Sequence, residues 1–320
     1  MPFNLRLRRD RYPLRQEGER APCNLCGSDE RVVINTRDRY LNRLVNAMCR
    51  NCGLVFLDPM PSEAAVDDYY RHSFWRASQG SDEPPAKRLF RDRQGAAVRL
   101  ARLAPDVKPG ARILDVGSGS GAFLGAAKAA GYIVEGIEPN IGYARYTERT
   151  HGVTVHTCPL NEVDFGDRRF DAVTCNHALE HMRDPLGAMQ RFHALLEPGG
   201  HMDLAVPDLG EPNKSPLRHL HPGHLFGFTH ETLLMMAAKA GFAPLDEPQH
   251  CTVHLFRRLP ASDPNWFRFP QHAAANETMF RERTLLRYLL QPRNLTRLPG
   301  RMARWVNEAR QASAGGRSGL

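Results

Sequence analysis

The stretch ILDVGSGSG, residues Ile113–Gly121, decides the fold class of this chain. Its first residues form a short apolar run typical of a buried strand, and the glycines that follow allow a tight turn into a helix. Free backbone N–H groups at the start of such a helix favour a nucleotide-like ligand. Gly117, Gly119 and Ala122 also satisfy the G-x-G-x-x-A pattern of dinucleotide sites, so the loop alone leaves NAD open.

Short β-branched or apolar runs alternate with Ala-rich helical runs from Pro109 onward. This alternation predicts βαβ units and a parallel sheet. The predicted strands are Arg112–Val116, Tyr132–Ile137, Val153–Thr157, Phe170–Cys175 and His201–Val206, with two more near Ala243–Leu245 and Cys251–Phe256. The predicted helices run from the glycine loop to about Ala130 and over Ile141–His151, Pro185–Leu196 and Thr229–Ala240.

Two acidic residues follow or end strands beside the glycine loop. Glu138 directly follows the second predicted strand, where a carboxylate can accept hydrogen bonds from both hydroxyls of a ribose. Asp115 lies inside the first strand, two residues before the first glycine. A carboxylate there would repel a pyrophosphate and attract a positively charged or amino-bearing group. Glu138 suits any ribose-bearing cofactor, whereas Asp115 favours a cofactor other than NAD.

Four segments complete the pattern: ILDVGSGSG, VEGIEPN, FDAVTCNHALEHMRDP and LLEPGGHMDLAVP, over about residues 110–207. In their order and spacing the chain resembles class I S-adenosylmethionine-dependent methyltransferases. The resemblance implies an α/β fold with a doubly wound, Rossmann-like sheet of seven strands, the last one antiparallel. It also implies that S-adenosylmethionine (SAM) lies across the carboxyl ends of the strands.

The same resemblance implies which residues contact the cofactor. The loop glycines would pass under its methionine part, Asp115 would hold its amino group, and Glu138 would hold its ribose hydroxyls. The run Pro159–Asn161 would line the adenine, and Asn176 and His177 would lie near the sulfonium. The implied cofactor-binding residues are Asp115, Gly117, Gly119, Gly121, Glu138, Leu160, Asn161, Asn176 and His177.

Two Cys-x-x-Cys pairs precede this region, separated by 22 residues. Four thiolates on two such turns predict a tetrahedral zinc site, with Gly27 and Gly53 suited to the tight turns. The predicted ligands are Cys23, Cys26, Cys49 and Cys52. Because no coordination position stays open, this zinc would be structural rather than catalytic. Cysteines used in this way indicate a reducing compartment, and the predicted location is cytoplasmic.

The second pair continues into Cys-Gly-Leu-Val-Phe-x-x-Pro. A zinc ribbon with this ending, ahead of a methyltransferase domain, resembles a group among sugar- and natural-product-modifying enzymes. The resemblance implies a small-molecule acceptor, a sugar or a specialised metabolite. Two alternatives stay open: oxygen or nitrogen methylation of a phenolic, lipid or peptide group, and a factor that binds nucleic acid or protein through the ribbon.

Histidines are concentrated where the acceptor should lie. His181 follows the fourth strand, and His221 and His224 belong to a Pro/Gly-rich run after the fifth strand that we expect to cover the substrate. An oxygen or carbon acceptor usually needs a base to remove its proton. His181 is the first candidate base, His224 the second and His221 the third.

Charge is placed at the two ends of the chain. The net charge is +8, but residues 1–20 carry six Arg against three acids and residues 277–320 carry nine Arg against three acids. The body between them is close to neutral, which argues against nucleic acid as the partner. The basic tail leaves association with a membrane surface or a second subunit open.

The sequence divides into five regions by composition and motif. They are a basic arm (1–20), a zinc-ribbon module (21–60), a helical linker or lid (61–108), a SAM-dependent methyltransferase domain (109–257) and a basic, partly helical tail (258–320).

Overall fold

The computed structural model describes residues 18–38, 42–211, 221, 223–245 and 252–290 of this chain. Most of the predicted basic arm, residues 212–220 and 222, Cys251 and the tail beyond residue 290 lie outside the described residues. Within the described ranges, no helix combines the length and the apolar character that crossing a bilayer requires.

The first strands build two small antiparallel sheets in the region of the paired cysteines. They are β1 (Gly18–Glu19), β2 (Arg31–Arg37), β3 (Arg43–Cys49), β4 (Val55–Leu57) and β5 (Met60–Pro61). β2, β3 and β4 pair in that order, and β1 pairs with β5. Because Arg31 at the start of β2 pairs with Cys49 at the end of β3, the two cysteine turns lie at the same end of the hairpin.

A helical segment leads from this ribbon to the large sheet. It comprises α1 (Glu63–Asp68), a π-helical turn (Tyr69–Ser73), α2 (Phe74–Gln79) and α3 (Ala86–Leu103). The side chain of Ser62 caps α1 by accepting a hydrogen bond from the Ala65 N–H. Gly80 ends α2 in the left-handed conformation. The segment carries four aromatic side chains in its middle, and α3 then packs on the sheet.

The remaining strands form the central sheet, apart from one short strand that joins the ribbon. They are β6 (Arg112–Val116), β7 (Ile133–Ile137), β8 (Thr154–His156), β9 (Phe170–Asn176), β10 (Leu196–Ala205), β11 (Phe226–Gly227), β12 (Phe242–Pro244) and β13 (Val253–Arg258). The seven-stranded order is β12-β13-β10-β9-β6-β7-β8, and β11 pairs with β4 of the ribbon. β13 is antiparallel to both of its neighbours. The predicted doubly wound sheet with an antiparallel last strand is therefore confirmed.

Helices cover both faces of the sheet. They are α4 (Ala122–Ala129), α5 (Ile141–His151), α6 (Pro185–Leu195), α7 (His230–Lys239), α8 (His272–Glu282) and α9 (Leu285–Leu290). One buried cluster joins Phe192 of α6 and Leu233 of α7 to Leu25 and Leu54 of the ribbon. The ribbon and the sheet therefore share an apolar core.

The start of β10 differs from the prediction. The sequence predicts a turn at Pro198–Gly200 and a strand from His201, whereas β10 begins at Leu196. Leu196 pairs with Phe170 of β9, and the register shifts before His201 pairs with Ala172. Gly199 has a φ of 77°, which accommodates this bulge. The turn therefore lies inside the strand rather than before it.

Candidate functional site

The three glycines of the loop after β6 have different surroundings, although all have positive φ angles. A Cβ on Gly117 would lie 2.5 Å from the Cβ of Ala178, and one on Gly121 would lie 2.2 Å from Cγ2 of Thr147. At Gly119 the nearest atom, in the Trp75 ring, would be 3.8 Å away. Gly117 and Gly121 thus permit close packing, whereas Gly119 leaves space above the loop.

Glu138 follows β7 and is buried beside this loop. Its carboxylate accepts hydrogen bonds from the N–H of Gly119 at 2.8 Å and of Asn140 at 3.0 Å. The indole N–H of Trp75 lies 3.4 Å from the same carboxylate. Burial raises the pKa of Glu138, and the two backbone N–H groups oppose that shift. The strand end and the glycine loop are therefore joined through one carboxylate.

Trp75 is a residue of this site that no sequence motif indicated. Its ring stacks on Tyr143 with 4.1 Å between the ring centroids, and Arg88 of α3 lies over it. Trp75 precedes Glu138 by 63 positions, so no local motif connects them. The signal for Trp75 in the sequence was its aromatic side chain in the helical segment before the sheet.

Asp115 lies in a row of buried polar side chains across three strands. The sheet register places Asp115 beside Thr174 of β9 and Thr174 beside Asp203 of β10. Arg99 of α3 donates to Asp115 at 2.6 Å, and Arg102 donates to Asp203 at 2.7 Å. Thr174 also donates to Asp115, at 2.6 Å. α3 is therefore attached to the sheet through buried ion pairs, and Arg99 already contacts the carboxylate predicted for the cofactor.

Three atoms in this row are buried without a hydrogen-bond partner among the described residues: Nη2 of Arg102, Nε of Arg99 and Oδ2 of Asp115. The two arginine nitrogens face the Asp203 carboxylate, at 2.7 and 3.8 Å. A buried polar atom without a partner is costly and commonly indicates a ligand or water. The acceptor Oδ2 of Asp115 therefore matches the amino group of an amino-acid ligand.

A cavity of about 800 Å³ opens above the carboxyl ends of the strands. Of the predicted site residues, it is lined by Gly117, Gly119, Glu138, Asn176, His177, His181, His221 and His224. Asp115, Gly121, Leu160 and Asn161 lie outside this lining. Leu160 is buried, and the side chain of Asn161 donates to Glu63 of α1 at 3.1 Å. The adenine contacts predicted for these last two residues remain predictions.

His181 ends a 3-10 turn at Leu179–His181. It is oriented by the lid, the segment of residues 221 and 223–227, which is distinct from the linker 61–108. Its Nδ1 lies 2.8 Å from the carbonyl oxygen of Gly223 and 2.8 Å from the hydroxyl of Tyr70. Tyr70 donates to the same carbonyl. Because a carbonyl only accepts, Nδ1 carries the proton of the neutral ring, and Nε2 keeps its lone pair.

Glu180 is a second site residue that the sequence motifs did not single out. Its side chain is 1% exposed, and Oε1 lies 3.7 Å from Nδ1 of His177, 3.8 Å from Nε2 of His181 and 3.9 Å from Nε2 of His224. Neither carboxylate oxygen has a hydrogen-bond donor among the described residues. The signal for Glu180 in the sequence was its position directly before His181. Glu180, His181 and His224 are also placed closely enough to hold a metal ion.

His177 has an unusual backbone conformation at the end of the fourth parallel strand. Its φ is 54°, a left-handed value that is uncommon for residues other than glycine. The side chain is 56% exposed. Strained residues of this kind cluster at functional sites. His177 and Asn176 both line the cavity. Their predicted position near the sulfonium remains a prediction.

The four cysteines form a compact cluster away from the cavity. Sγ of Cys23 lies 3.5 Å from Sγ of Cys52, and Sγ of Cys26 lies 3.5 Å from Sγ of Cys49. Tetrahedral zinc with Zn–S bonds of about 2.3 Å separates its sulfurs by roughly 3.8 Å. The Cys23 thiol lowers the pKa of Cys26 and of Cys49, the latter to about 7. The donor set and its spacing fit a zinc ion.

Comparison with known proteins identifies related sequences. A family described as "Methyltransferase domain" matches residues 89–247. The ubiquinone biosynthesis O-methyltransferase of Haemophilus ducreyi is 36% identical over 107 residues, which are 30% of this chain and 45% of that protein. The Xanthomonas campestris pv. campestris protein of the same name is 37% identical over 116 residues, 34% of this chain and 48% of that protein. The chain thus spans about half the length of these curated relatives.

Solved structures are also similar to this chain. The 1,6-didemethyltoxoflavin-N1-methyltransferase of Burkholderia thailandensis, with 1,6-didemethyltoxoflavin and S-adenosylhomocysteine bound, has a TM-score of 0.49. It is 22% identical in sequence, and the match covers 67% of this chain and 96% of that one.

Proposed function

We propose that this chain, whose residues 89–247 belong to a methyltransferase domain family, transfers a methyl group from SAM to a small-molecule acceptor. One observation carries the proposal. Glu180, His181 and His224 lie on the wall of the same cavity that is lined by Gly119 and Glu138. A proton-accepting cluster therefore faces the space above the predicted cofactor loop.

The residues present fit the cofactor. Gly119 leaves room for it above the loop, and Glu138 has the buried carboxylate that suits a ribose diol. The partnerless Oδ2 of Asp115 suits the amino group of the methionine part, and the guanidinium of Arg99, which lines the cavity, suits its carboxylate. When bound, SAM supplies a methyl group activated by a good leaving group, so that alignment provides much of the acceleration.

We propose His181 as the base that removes the proton from the acceptor. The hydrogen bonds of its Nδ1 leave the lone pair of Nε2 for the acceptor. The imidazolium that forms is stabilised by the Glu180 carboxylate, 3.8 Å away. His224 is the second candidate base and His221 the third. Tyr70 and Phe74 pack against the His181 ring and hold it in place.

For the acceptor we propose a sugar or a specialised metabolite. The lining combines histidines with the rings of Tyr70, Phe74 and Trp75, and aromatic faces suit flat or ring-shaped molecules. A phenolic oxygen is the second candidate, since the curated relatives are named O-methyltransferases of ubiquinone biosynthesis. His181 would serve either acceptor as the base.

We propose that the cysteine cluster is a structural zinc site. The alternative, a ribbon that binds nucleic acid or protein, requires a surface that the ribbon keeps free. One side of the ribbon is occupied by the central domain: Leu25 and Leu54 are fully buried in the core shared with the sheet, and β4 pairs with β11, which favours a structural role. A steep salt dependence of RNA binding would favour the alternative.

Native mass spectrometry with SAM and S-adenosylhomocysteine (SAH) tests the cofactor assignment first. We expect one bound cofactor per chain. Screening nucleotide sugars, other metabolites and phenols for uptake of labelled methyl then identifies the acceptor. Failure of both SAM and SAH to bind would refute the proposed function.

Replacing His181 with alanine tests the base. We expect methyl transfer to fall by about 10²–10⁴-fold, the usual contribution of general acid–base catalysis, with SAH affinity nearly unchanged. His193→Ala is the matched control, since His193 hydrogen bonds to the carbonyl of Leu259 outside the cavity. Unchanged turnover in His181→Ala would transfer the role to His224.

A further inference from the structure

The first cysteine turn contacts the segment that carries the proposed base. Asn24, between Cys23 and Cys26, donates to Oδ1 of Asp184 at 2.7 Å. The side-chain carbonyl oxygen of Asn24 accepts a hydrogen bond from the backbone N–H of Leu186 at 3.0 Å. Asp184 is the N-cap of α6. One asparagine of the cysteine turn therefore holds the N-terminus of α6, three residues after His181.

A second path connects the ribbon to the same cluster from the other side. The backbone N–H of Leu57 in β4 donates to the carbonyl of Leu225 at 2.9 Å. The N–H of Leu225 in turn donates to the carbonyl of Glu180 at 2.9 Å. Leu225 directly follows His224, so His224 and Glu180 are both attached to β4 of the ribbon.

The cysteine turn itself is fixed against the body of the protein. Lys239 of α7 donates from Nζ to the carbonyl of Leu25 at 2.6 Å, and Leu25 is fully buried. A zinc ion on the four cysteines would hold the turn in shape, because the metal fixes all four sulfurs at once. The turn, α6 and the lid strand then form one rigid frame around Glu180 and His181.

We propose that Asn24 is a positioning residue, through which the cysteine cluster holds Glu180 and His181 at the cavity wall. The zinc site is then part of the support of the active site rather than an independent module. The description of Glu180 and His181 as catalytic rests on the proposed function, whereas the contacts of Asn24 do not.

Hydrogen exchange of the zinc-loaded full-length chain tests this inference. Asn24→Asp places a second carboxylate opposite Asp184. The N–H donor of Asn24 is then lost, and the two carboxylates repel each other. We expect amide exchange in residues 179–183 to accelerate about tenfold, the change expected from loss of one hydrogen bond. Combining Asn24→Asp with Asp184→Asn restores an amide–carboxylate pair and should restore slow exchange.

Asn51→Asp is the matched control, because Asn51 occupies the other cysteine turn and is exposed. It should leave exchange in residues 179–183 unchanged. If the role of Asn24 is purely local, amide exchange should accelerate only in residues 184–188, around Leu186. That result, or failure of the double variant to restore slow exchange, would overturn the inference.

Removing the metal from the unmodified chain with 1,10-phenanthroline gives a test that does not depend on folding of the variants. Exchange should accelerate in residues 179–183 and 223–226 as well as in the ribbon. Acceleration confined to residues 23–57 would overturn the inference. SAH affinity is measured separately, so failure of the cofactor assignment and failure of the Asn24 contact give different results.

Discussion

Gly119 differs from the neighbouring loop glycines in a way that has a functional consequence. Only at Gly119 does the space beside the α-carbon open towards the cavity, whereas Gly117 and Gly121 contact other side chains closely. The same residue type therefore serves packing at two positions and ligand access at the third. The glycine spacing predicted the loop, but the contacts that separate these roles come from Ala178 and Thr147, far along the chain.

Replacing Gly119 with alanine should weaken SAH binding by about tenfold or more while the fold persists. The added methyl group meets no atom closer than 3.8 Å in the protein but occupies the space of the cofactor. The left-handed φ of 54° costs roughly 1 kcal/mol of stability. Isothermal titration with SAH measures the affinity. Gly166→Ala, at a similar φ of 56° in open space, is the control for strain alone.

Replacing Glu138 with alanine should lower SAH affinity by roughly 10–100-fold, because charge-assisted hydrogen bonds contribute about 1.5–3 kcal/mol each. Glu135→Ala is the matched control. Glu135 lies on the same strand but pairs with His156 and Arg168 at the surface. Equal SAH affinities in the two variants would contradict the ribose assignment.

At the scale of single elements, α3 shows how a helix outside the first predicted βαβ unit becomes part of the site. It contributes Arg99 and Arg102 to the polar row on β6, β9 and β10, and Arg88 to the cover of Trp75. Burial raises the pKa of Asp203, although Arg102 and Arg99 oppose this shift. The helix is thus held where it forms a wall of the cavity.

Replacing Arg102 with methionine should destabilise the fold by about 3–5 kcal/mol, because it leaves the Asp203 carboxylate buried with only Arg99 at 3.8 Å. Adding Asp203→Leu should recover much of this loss, since an apolar pair replaces a buried ion pair well. Urea denaturation of the single and double variants measures both free energies of unfolding. Equal stabilities of Arg102→Met and the unmodified chain would show that the pair contributes nothing.

On the scale of the whole molecule, the ribbon and the sheet behave as one structure. β11 leaves the central domain to pair with β4, and Asn276 of α8 donates to the carbonyl of Gly53 in the second cysteine turn at 3.2 Å. The ribbon is therefore attached to α6, α7, α8 and the lid. Loss of the metal should affect the entire molecule.

Replacing Cys49 with serine should release zinc and lower the melting temperature of the whole chain in a single transition. Native mass spectrometry should find one zinc in the unmodified chain and none in the variant. A zinc retained in Cys49→Ser would contradict the four-cysteine site. If the unmodified chain binds a second metal ion, the candidate site is Glu180, His181 and His224. Loss of that ion in Glu180→Gln would assign it to this site.

From the sequence alone one can predict the order of the strands and helices of the central sheet, the glycine loop, the position of Glu138 after β7 and the two Cys-x-x-Cys turns. These features depend on residue spacing within one or two elements, where periodicity and turn chemistry act locally. The bounds of β6 and α5 follow directly from such local patterns.

Which side chains meet at the site depends on the packing of elements that are far apart in the sequence. The contacts Trp75–Glu138, Arg99–Asp115, Tyr70–His181 and Asn24–Asp184 join residues between 16 and 160 positions apart. Each depends on the packing of separate elements, which no local pattern encodes. Glu180 shows the same limit, because its burial and its distance from His224 arise only when the lid folds over the strand ends.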